Sequence, residues 1–270
     1  MEKAGLPAEA VEVYFEAGNL ADARYLMDII MTKEQVEKLA KQINAKYRDE
    51  VYYALGSKHM LELDVKRARE AFLAISKTPA KLKQDEIHDL GTETARMLEV
   101  TAELDTLLQA EKNAVSEEEK AVASYAIGAY LYHKNNRNTN RHAILNNVMI
   151  SSSDSPVNAY NLILPDEKEL RQKRFDRANL LLRAEEYFLK AASTKSSVAP
   201  KALYSAALCR LWLPTYHSYY QVQTNFNPSS DVQKAIGYLT QLLQKYPKHS
   251  LAKEASKVIT NLKNIDYSNY

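Results

Sequence analysis

Glycine, proline and cysteine are scarce in this chain of 270 residues. Only 6 glycines and 8 prolines occur, which is few for a β-rich fold that needs many tight turns. The abundant alanine, leucine, lysine and glutamate are strong helix formers. The single cysteine, Cys209, excludes an internal disulfide, and its position in the apolar run 203–213 predicts a buried, inert thiol. The composition therefore predicts an all-α protein.

Neither sign of charge dominates, and long apolar runs are missing. The 36 basic and 34 acidic side chains give a formal net charge of +2, so no general attraction to nucleic acid or anionic membranes is expected. No apolar stretch approaches the roughly 20 residues that span a bilayer. The first five residues lack the basic and apolar regions of a secretory signal, and we expect no such signal in this chain.

Recognisable catalytic and metal-binding motifs are also missing. The six histidines do not occur at zinc-ligand spacings, and no nucleophile elbow, phosphate loop or dinucleotide fingerprint is present. The acidic residues around His88 predict a solvated helix face, because neighbours in sequence do not share a face of a helix. We expect no enzyme activity, no cofactor and no metal.

Four helix-forming stretches share one spacing of small and bulky apolar residues. Each has an apolar residue, an alanine three later, a bulky apolar residue four after that, and another apolar residue three further on. They are Leu20-Ala23-Met27-Ile30, Val65-Ala68-Phe72-Ile75, Leu181-Ala184-Phe188-Ala191 and Val232-Ala235-Leu239-Leu242. An alanine at a helix crossing lets two backbones approach closely. The strings therefore predict closely paired helices.

The second string resembles the second helix of a tetratricopeptide repeat, a helical hairpin that stacks into solenoids. The family's first-helix spacing precedes it in Tyr52, Leu55, Gly56 and His59. The resemblance implies an all-α, irregular α-α superhelix, that is, a tetratricopeptide-like solenoid with extra helices and insertions. A generic amphipathic helix bundle is the alternative.

The C-terminal string is similar to the repeats of bacterial envelope proteins, such as the TolA-binding periplasmic protein and outer-membrane assembly lipoproteins. The residues that carry this similarity are Tyr246, Pro247, Ser250, Ala252 and Ala255. The resemblance implies a bacterial protein in the periplasm, with the cytoplasm as the alternative. Its partner would then be another envelope protein.

The pattern divides the chain into three segments. Residues 1–133 are predicted to form N-terminal helical repeats, 134–166 an irregular connection or insertion, and 167–270 C-terminal repeats of the tetratricopeptide kind. One continuous solenoid is the alternative. Two prolines and three tyrosines predict a second insertion at 214–230.

A solenoid without catalytic motifs predicts a non-catalytic scaffold or adaptor that binds a segment of another protein in a helical groove. The 18 tyrosines against 5 phenylalanines favour half-exposed contact surfaces. The predicted contacts are exposed aromatic and basic side chains of helices 49–62, 118–133 and 201–213 and of the 214–230 insertion. They are Tyr53, Lys58, Tyr130, Tyr204, Arg210, Trp212, Tyr216, Tyr219 and Tyr220.

Two alternatives come from other functional classes. A nucleic-acid-binding helical protein would use basic residues near 134–142 and 168–177, although the balanced charge makes nucleic acid an unfavoured partner. An accessory subunit, or an enzyme with an unrecognised active site, would need an acid and a base that converge in the fold.

Overall fold

The computed structural model describes residues 7–77, 79, 89–134, 180–220 and 228–264. Those residues form helices and connecting turns without a β-strand, which confirms the all-α prediction. None of the helices in this part of the chain combines the length and the apolar character that a membrane span requires. The predicted connection at 134–166 falls almost wholly outside the described residues, so the predicted division into three segments stays a prediction.

The chain separates into two units. Unit 1 comprises Met1–Asp105 and Asn138–Ala178, and unit 2 comprises Thr106–Arg137 and Asn179–Tyr270. The α-helices in chain order are α1 (Pro7–Glu16), α2 (Leu20–Tyr25), α3 (Lys33–Gln42), α4 (Arg48–Leu61), α5 (Val65–Leu73), α6 (Leu90–Asn113), α7 (Glu117–Lys134), α8 (Leu180–Ala192), α9 (Ala199–Tyr220), α10 (Pro228–Lys245) and α11 (Leu251–Lys263). A π-helical turn, Leu26–Ile30, extends α2, and a 3-10 turn, Ala45–Tyr47, precedes α4.

Local side-chain chemistry sets several helix ends. Gly18, with φ of 75°, follows α1 in the left-handed conformation that favours glycine. Thr32 and Gln35 form a capping box before α3, in which the Thr32 N–H donates to Gln35 Oε1 at 2.7 Å. Ser116 and Glu119 repeat this arrangement before α7, where the Ser116 N–H donates to the Glu119 carboxylate at 3.0 Å. Ser116 and Glu119 therefore satisfy backbone N–H groups at the start of α7.

A close contact between a glycine and a phenylalanine holds α4 and α5 together in unit 1. Phe72 of α5 is 1% exposed, and its ring centroid lies 5.5 Å from that of Tyr53 in α4. A Cβ atom at Gly56 would lie 2.5 Å from Phe72 Cε1. Gly56 and the fully buried Ala68 therefore allow the close approach of backbones that the alanine string predicts.

The same arrangement joins α7 to α8 in unit 2. The rings of Tyr125 and Phe188 lie 5.4 Å apart. A Cβ atom at Gly128 would lie 2.8 Å from Phe188 Cδ1 and 3.1 Å from the Ala184 carbonyl oxygen. Both hairpins thus pair a Tyr-x-x-Gly helix with an Ala-x-x-x-Phe helix. In unit 2 the two halves of the motif are separated by residues 135–179.

The helices of unit 2 pack in chain order. Each of α7, α8, α9 and α10 contacts the next helix, and α9 also contacts α7 and α11. The insertion predicted to begin at Pro214 is corrected, because α9 runs to Tyr220 and α10 begins at Pro228. The φ of proline is fixed near −65°, which is a helical value. Proline within a helix therefore removes one backbone hydrogen bond and crowds the preceding turn, but it does not exclude the helix.

His59 lies at the α4–α5 contact and gives unit 1 a predicted pH dependence. It is 5% exposed, and its Nδ1 lies 3.8 Å from the Asp64 carboxylate, too far for a hydrogen bond. Burial lowers the pKa of His59, with help from Lys33 and Arg67, while Asp64 and Glu62 oppose the shift. Folding therefore favours the neutral imidazole, and the unfolded chain binds the proton more readily.

We expect the stability of the protein to fall as the pH drops below about 6.5, the ordinary pKa of histidine. Calorimetric melting between pH 7.5 and 5.5 measures this loss. The variant His59→Gln should lose less over the same range, because its side chain does not titrate. An equal loss in both proteins would contradict the assignment to His59.

Candidate functional site

Tyr53 is buried, which corrects the expectation that its side chain is exposed. Its exposed fraction is 0%, because it lies on the face of α4 that packs against Phe72. Its neighbour Tyr52 is partly buried against the core of unit 1. Successive residues of a helix point about 100° apart, so a difference of one residue decides which tyrosine enters the hairpin contact.

Lys58 is half-buried and binds the backbone of its own unit. Its Nζ donates to the carbonyl oxygens of Asp28 at 3.2 Å and Met31 at 2.7 Å. These carbonyls belong to the end of the π-helical turn, where backbone acceptors lack helical partners. The ammonium group thus stabilises this helix end.

Arg210 belongs to an ion cluster between α8, α9 and α10, formed by Glu185, Arg210, Asp231 and Tyr238. Its Nε donates to Glu185 Oε1 at 2.7 Å, and its guanidinium also binds Asp231 Oδ1 at 2.8 Å. Glu185 and Asp231 are 3% and 8% exposed. The expectation that the Arg210 side chain is exposed is corrected, because it is 16% exposed and both carboxylates engage its guanidinium inside the unit.

The surroundings of the ion cluster shift two pKa values. Burial alone would lower the pKa of Arg210, but the Glu185 and Asp231 carboxylates raise it above its usual value. Burial, together with a 2.7 Å hydrogen bond from the Tyr238 hydroxyl to Glu185, raises the pKa of Tyr238 to about 12. The cluster therefore keeps a charged guanidinium and a neutral phenol at physiological pH.

An aromatic patch, formed by Tyr132, His133 and Trp212, joins α7 to α9. Trp212, the chain's single tryptophan, is 46% exposed. Its indole N–H donates to the Tyr132 hydroxyl; burial raises the pKa of Tyr132, and this hydrogen bond opposes the rise. The Tyr132 and His133 rings meet edge to face, with centroids 5.7 Å apart. Aromatic surface is thus exposed where α7 meets α9, with Trp212 hydrogen-bonded to its neighbour.

Both helices that carry the aromatic patch present a stripe of exposed or half-buried side chains. The α7 stripe consists of Val122, Ala126, Ala129 and His133, and the α9 stripe of Lys201, Ser205, Leu208 and Trp212. Steps of three and four residues place each set on one face of its helix.

The predicted contacts Tyr130 and Tyr204 are half-buried beside these stripes. The predicted contacts Tyr130, Tyr204 and Trp212 thus keep exposed surface in unit 2. Tyr216, Tyr219 and Tyr220 continue α9, but their side chains lie outside the described part of the structure.

A shallow groove of about 540 Å³ lies between the end of α6 and the first half of α7, within unit 2. No pattern in the sequence predicts this groove. Its lining residues are Ala110, Asn113, Ala114, Val115, Glu118, Glu119, Val122, Ala123 and Ala126. The exposed Val115 could not have indicated it, because single exposed apolar residues are common on protein surfaces.

Among the described residues, no three His, Cys, Asp or Glu side chains converge on a position that could hold a metal ion. Cys209 is fully buried, and burial raises the pKa of its thiol well above the usual range. The predicted inert thiol is confirmed. The basic stretches near 134–142 and 168–177 lie outside the described ranges, apart from the backbone of Lys134. Of the acidic residues around His88, only Asp89 is described, and its carboxylate accepts a hydrogen bond from the Gly91 N–H at 3.2 Å.

Comparisons of the chain with protein-family models, with curated proteins and with solved structures gave no match. The tetratricopeptide resemblance therefore stays a prediction.

Proposed function

We propose that the protein is a non-catalytic scaffold that binds a segment of another protein along the exposed faces of α7 and α9. The observation that carries this proposal is the aromatic patch, in which a half-exposed Trp212 is held by a hydrogen bond to Tyr132. Tryptophan and tyrosine dominate binding hot spots, because they bury a large area and keep a polar group for hydrogen bonding.

The fixed orientation of Trp212 favours binding. A free side chain loses rotamer entropy when a partner immobilises it, at a cost of about 0.5–1.5 kcal/mol. The hydrogen bond to Tyr132 removes part of this freedom before the partner arrives. A partner therefore meets a surface that is already arranged for contact.

We further propose that the helices form an irregular tetratricopeptide-like solenoid. Two observations support this proposal: the tyrosine–glycine–phenylalanine contact recurs in two hairpins, and α9 contacts α7 and α11 as well as its sequence neighbours. In such arrays the first helices of successive hairpins lie side by side and offer one binding surface. The bacterial source and the envelope compartment rest on the sequence resemblance alone.

The substitution Trp212→Ala should reduce partner capture at least tenfold, because it removes the largest side chain of the aromatic patch. Affinity capture from the native source, followed by quantitative mass spectrometry, measures this loss. The matched control is Leu73→Ala, since Leu73 is an apolar side chain of α5 with 59% exposure. The scaffold proposal fails if the wild-type protein recovers no specific partner, or if Trp212→Ala retains every partner.

A further inference from the structure

The groove between α6 and α7 exposes apolar surface that the folded unit does not cover. Val115 is 86% exposed and Val122 is 44% exposed, and both line the groove. Each Å² of apolar surface that a partner covers contributes about 25 cal/mol. The two valines therefore provide a driving force for docking.

The size of the lining side chains favours a helix as the docked element. Four alanines line the groove: Ala110 on α6, Ala114 in the turn that follows it, and Ala123 and Ala126 on α7. Small side chains let the axis of another helix approach to about 8–10 Å. An added β-strand would instead need an unpaired strand edge, and the helices around the groove offer none.

The charged part of the lining is negative. Glu118 and Glu119 are the charged side chains that line the groove. Hydrogen bonds from Ser197 lower the pKa of Glu118, and hydrogen bonds from Ser116 and Val115 lower the pKa of Glu119. Both carboxylates are therefore ionised at neutral pH, and a docked segment meets negative charge beside an apolar floor.

Helix capping explains part of this arrangement but not all of it. Acidic side chains in the first turn stabilise a helix through its dipole, and Glu119 also caps α7. Capping requires neither an exposed valine pair nor an alanine-lined groove beside the carboxylates. The combination of negative charge with uncovered apolar surface points to a complementary partner.

We propose that this groove docks an amphipathic helix of the partner protein, with small apolar residues on its buried face and lysine or arginine on its flanks. The inference rests on the proposed scaffold function and adds the chemistry of the partner. The α7 stripe shares Val122 and Ala126 with the groove lining and extends to His133, which lies 11 residues after Val122, or about 16 Å along the helix. A docked helix of three or four turns can therefore reach from the groove to the aromatic patch.

The test uses the full chain and two labelled amphipathic peptides of about 18 residues, which span about 27 Å as helices. Both carry an alanine–leucine face; one has lysine flanks and the other glutamate flanks. Fluorescence anisotropy measures the affinity of each peptide for the wild-type protein, Val122→Asp and Val13→Asp. Val13 is the matched control, because it is a helical valine of α1 with the same 44% exposure. Circular dichroism checks that both variants remain folded. Val115→Asp is a second groove variant, at a position outside any helix.

We expect the lysine-flanked peptide to bind the wild-type protein and Val13→Asp equally, and to bind Val122→Asp and Val115→Asp at least tenfold more weakly. Its binding should also weaken as salt is added. The proposal is overturned if neither peptide binds, if the glutamate-flanked peptide binds as tightly, or if both groove variants bind like the wild-type protein.

The result is separable from that for the scaffold function. If partner capture depends on Trp212 but not on Val122, and neither peptide binds, the groove proposal fails and the scaffold function stands. If the peptide binds in the groove but no partner is captured, the groove proposal stands and the scaffold function fails.

Discussion

The substitution Arg210→Ala should destabilise unit 2 by about 3–5 kcal/mol, the usual cost of breaking a buried ion pair. The loss arises because Glu185 and Asp231, which are 3% and 8% exposed, would keep their charges without the guanidinium that compensates them. Urea denaturation followed by the fluorescence of Trp212 measures this change, since Trp212 lies in the same unit. The midpoint should shift to a much lower urea concentration.

A surface ion pair provides the control for Arg210. Lys41 lies 3.3 Å from Glu37, and their side chains are 70% and 52% exposed. Because water screens such pairs, Lys41→Ala should cost well under 1 kcal/mol. A paired replacement of Arg210 by methionine and Glu185 by leucine should be less damaging than Arg210→Met alone. The interpretation is wrong if Arg210→Ala and Lys41→Ala have the same effect.

The substitution Phe72→Ala should destabilise unit 1 by about 3–5 kcal/mol. Phe72 is 1% exposed and fills the space above Gly56, so its removal leaves a cavity at the centre of the α4–α5 hairpin. Chemical denaturation followed by far-ultraviolet circular dichroism measures the loss. The equivalent change in unit 2, Phe188→Ala, should be similarly costly, because Phe188 is 2% exposed and meets Gly128 in the same way.

Alanine substitutions at two glycines test the cause of this effect. A Cβ atom at Gly56 would lie 2.5 Å from the Phe72 ring, whereas Gly237 of α10 has nothing within 4 Å. Gly237→Ala should therefore stabilise the protein by up to about 1 kcal/mol through helix propensity. Gly56→Ala should destabilise it, since overpacking costs about 1–3 kcal/mol. In the Phe72→Ala background the penalty at Gly56 should disappear, and a penalty that persists would contradict the contact.

The fold class and several helix ends follow from local chemistry. Scarce glycine and proline, with abundant helix formers, predict the all-α class that the described residues have. The cap at Ser116 and Glu119 marks the start of α7, because the side chain and the backbone that it satisfies lie within one turn. The buried state of Cys209 follows from its apolar neighbours. Each of these features depends only on residues that are close in the chain.

The candidate site depended on contacts between residues that are distant in the chain. Trp212 was predicted from its chemistry, but its hydrogen bond to Tyr132 was not. Arg210 was predicted to be exposed, because nothing near it in the sequence shows that Glu185 and Asp231 converge on it from two other helices. The groove between α6 and α7 has no sequence signal, because its alanines also fit an ordinary helix contact.

By itself, the sequence determined the helical class of the described residues, through its composition, and which residues share a face of each helix, through the helical period. Only the tertiary structure decided that α7 pairs with α8 across residues 135–179 and that Tyr53 is the buried tyrosine of α4. It also decided that two carboxylates of the same unit compensate the charge of Arg210. The physical reason is that a periodic pattern defines an apolar face but not what covers it. That choice depends on how tightly particular side chains, such as Gly128 and Phe188, fit one another.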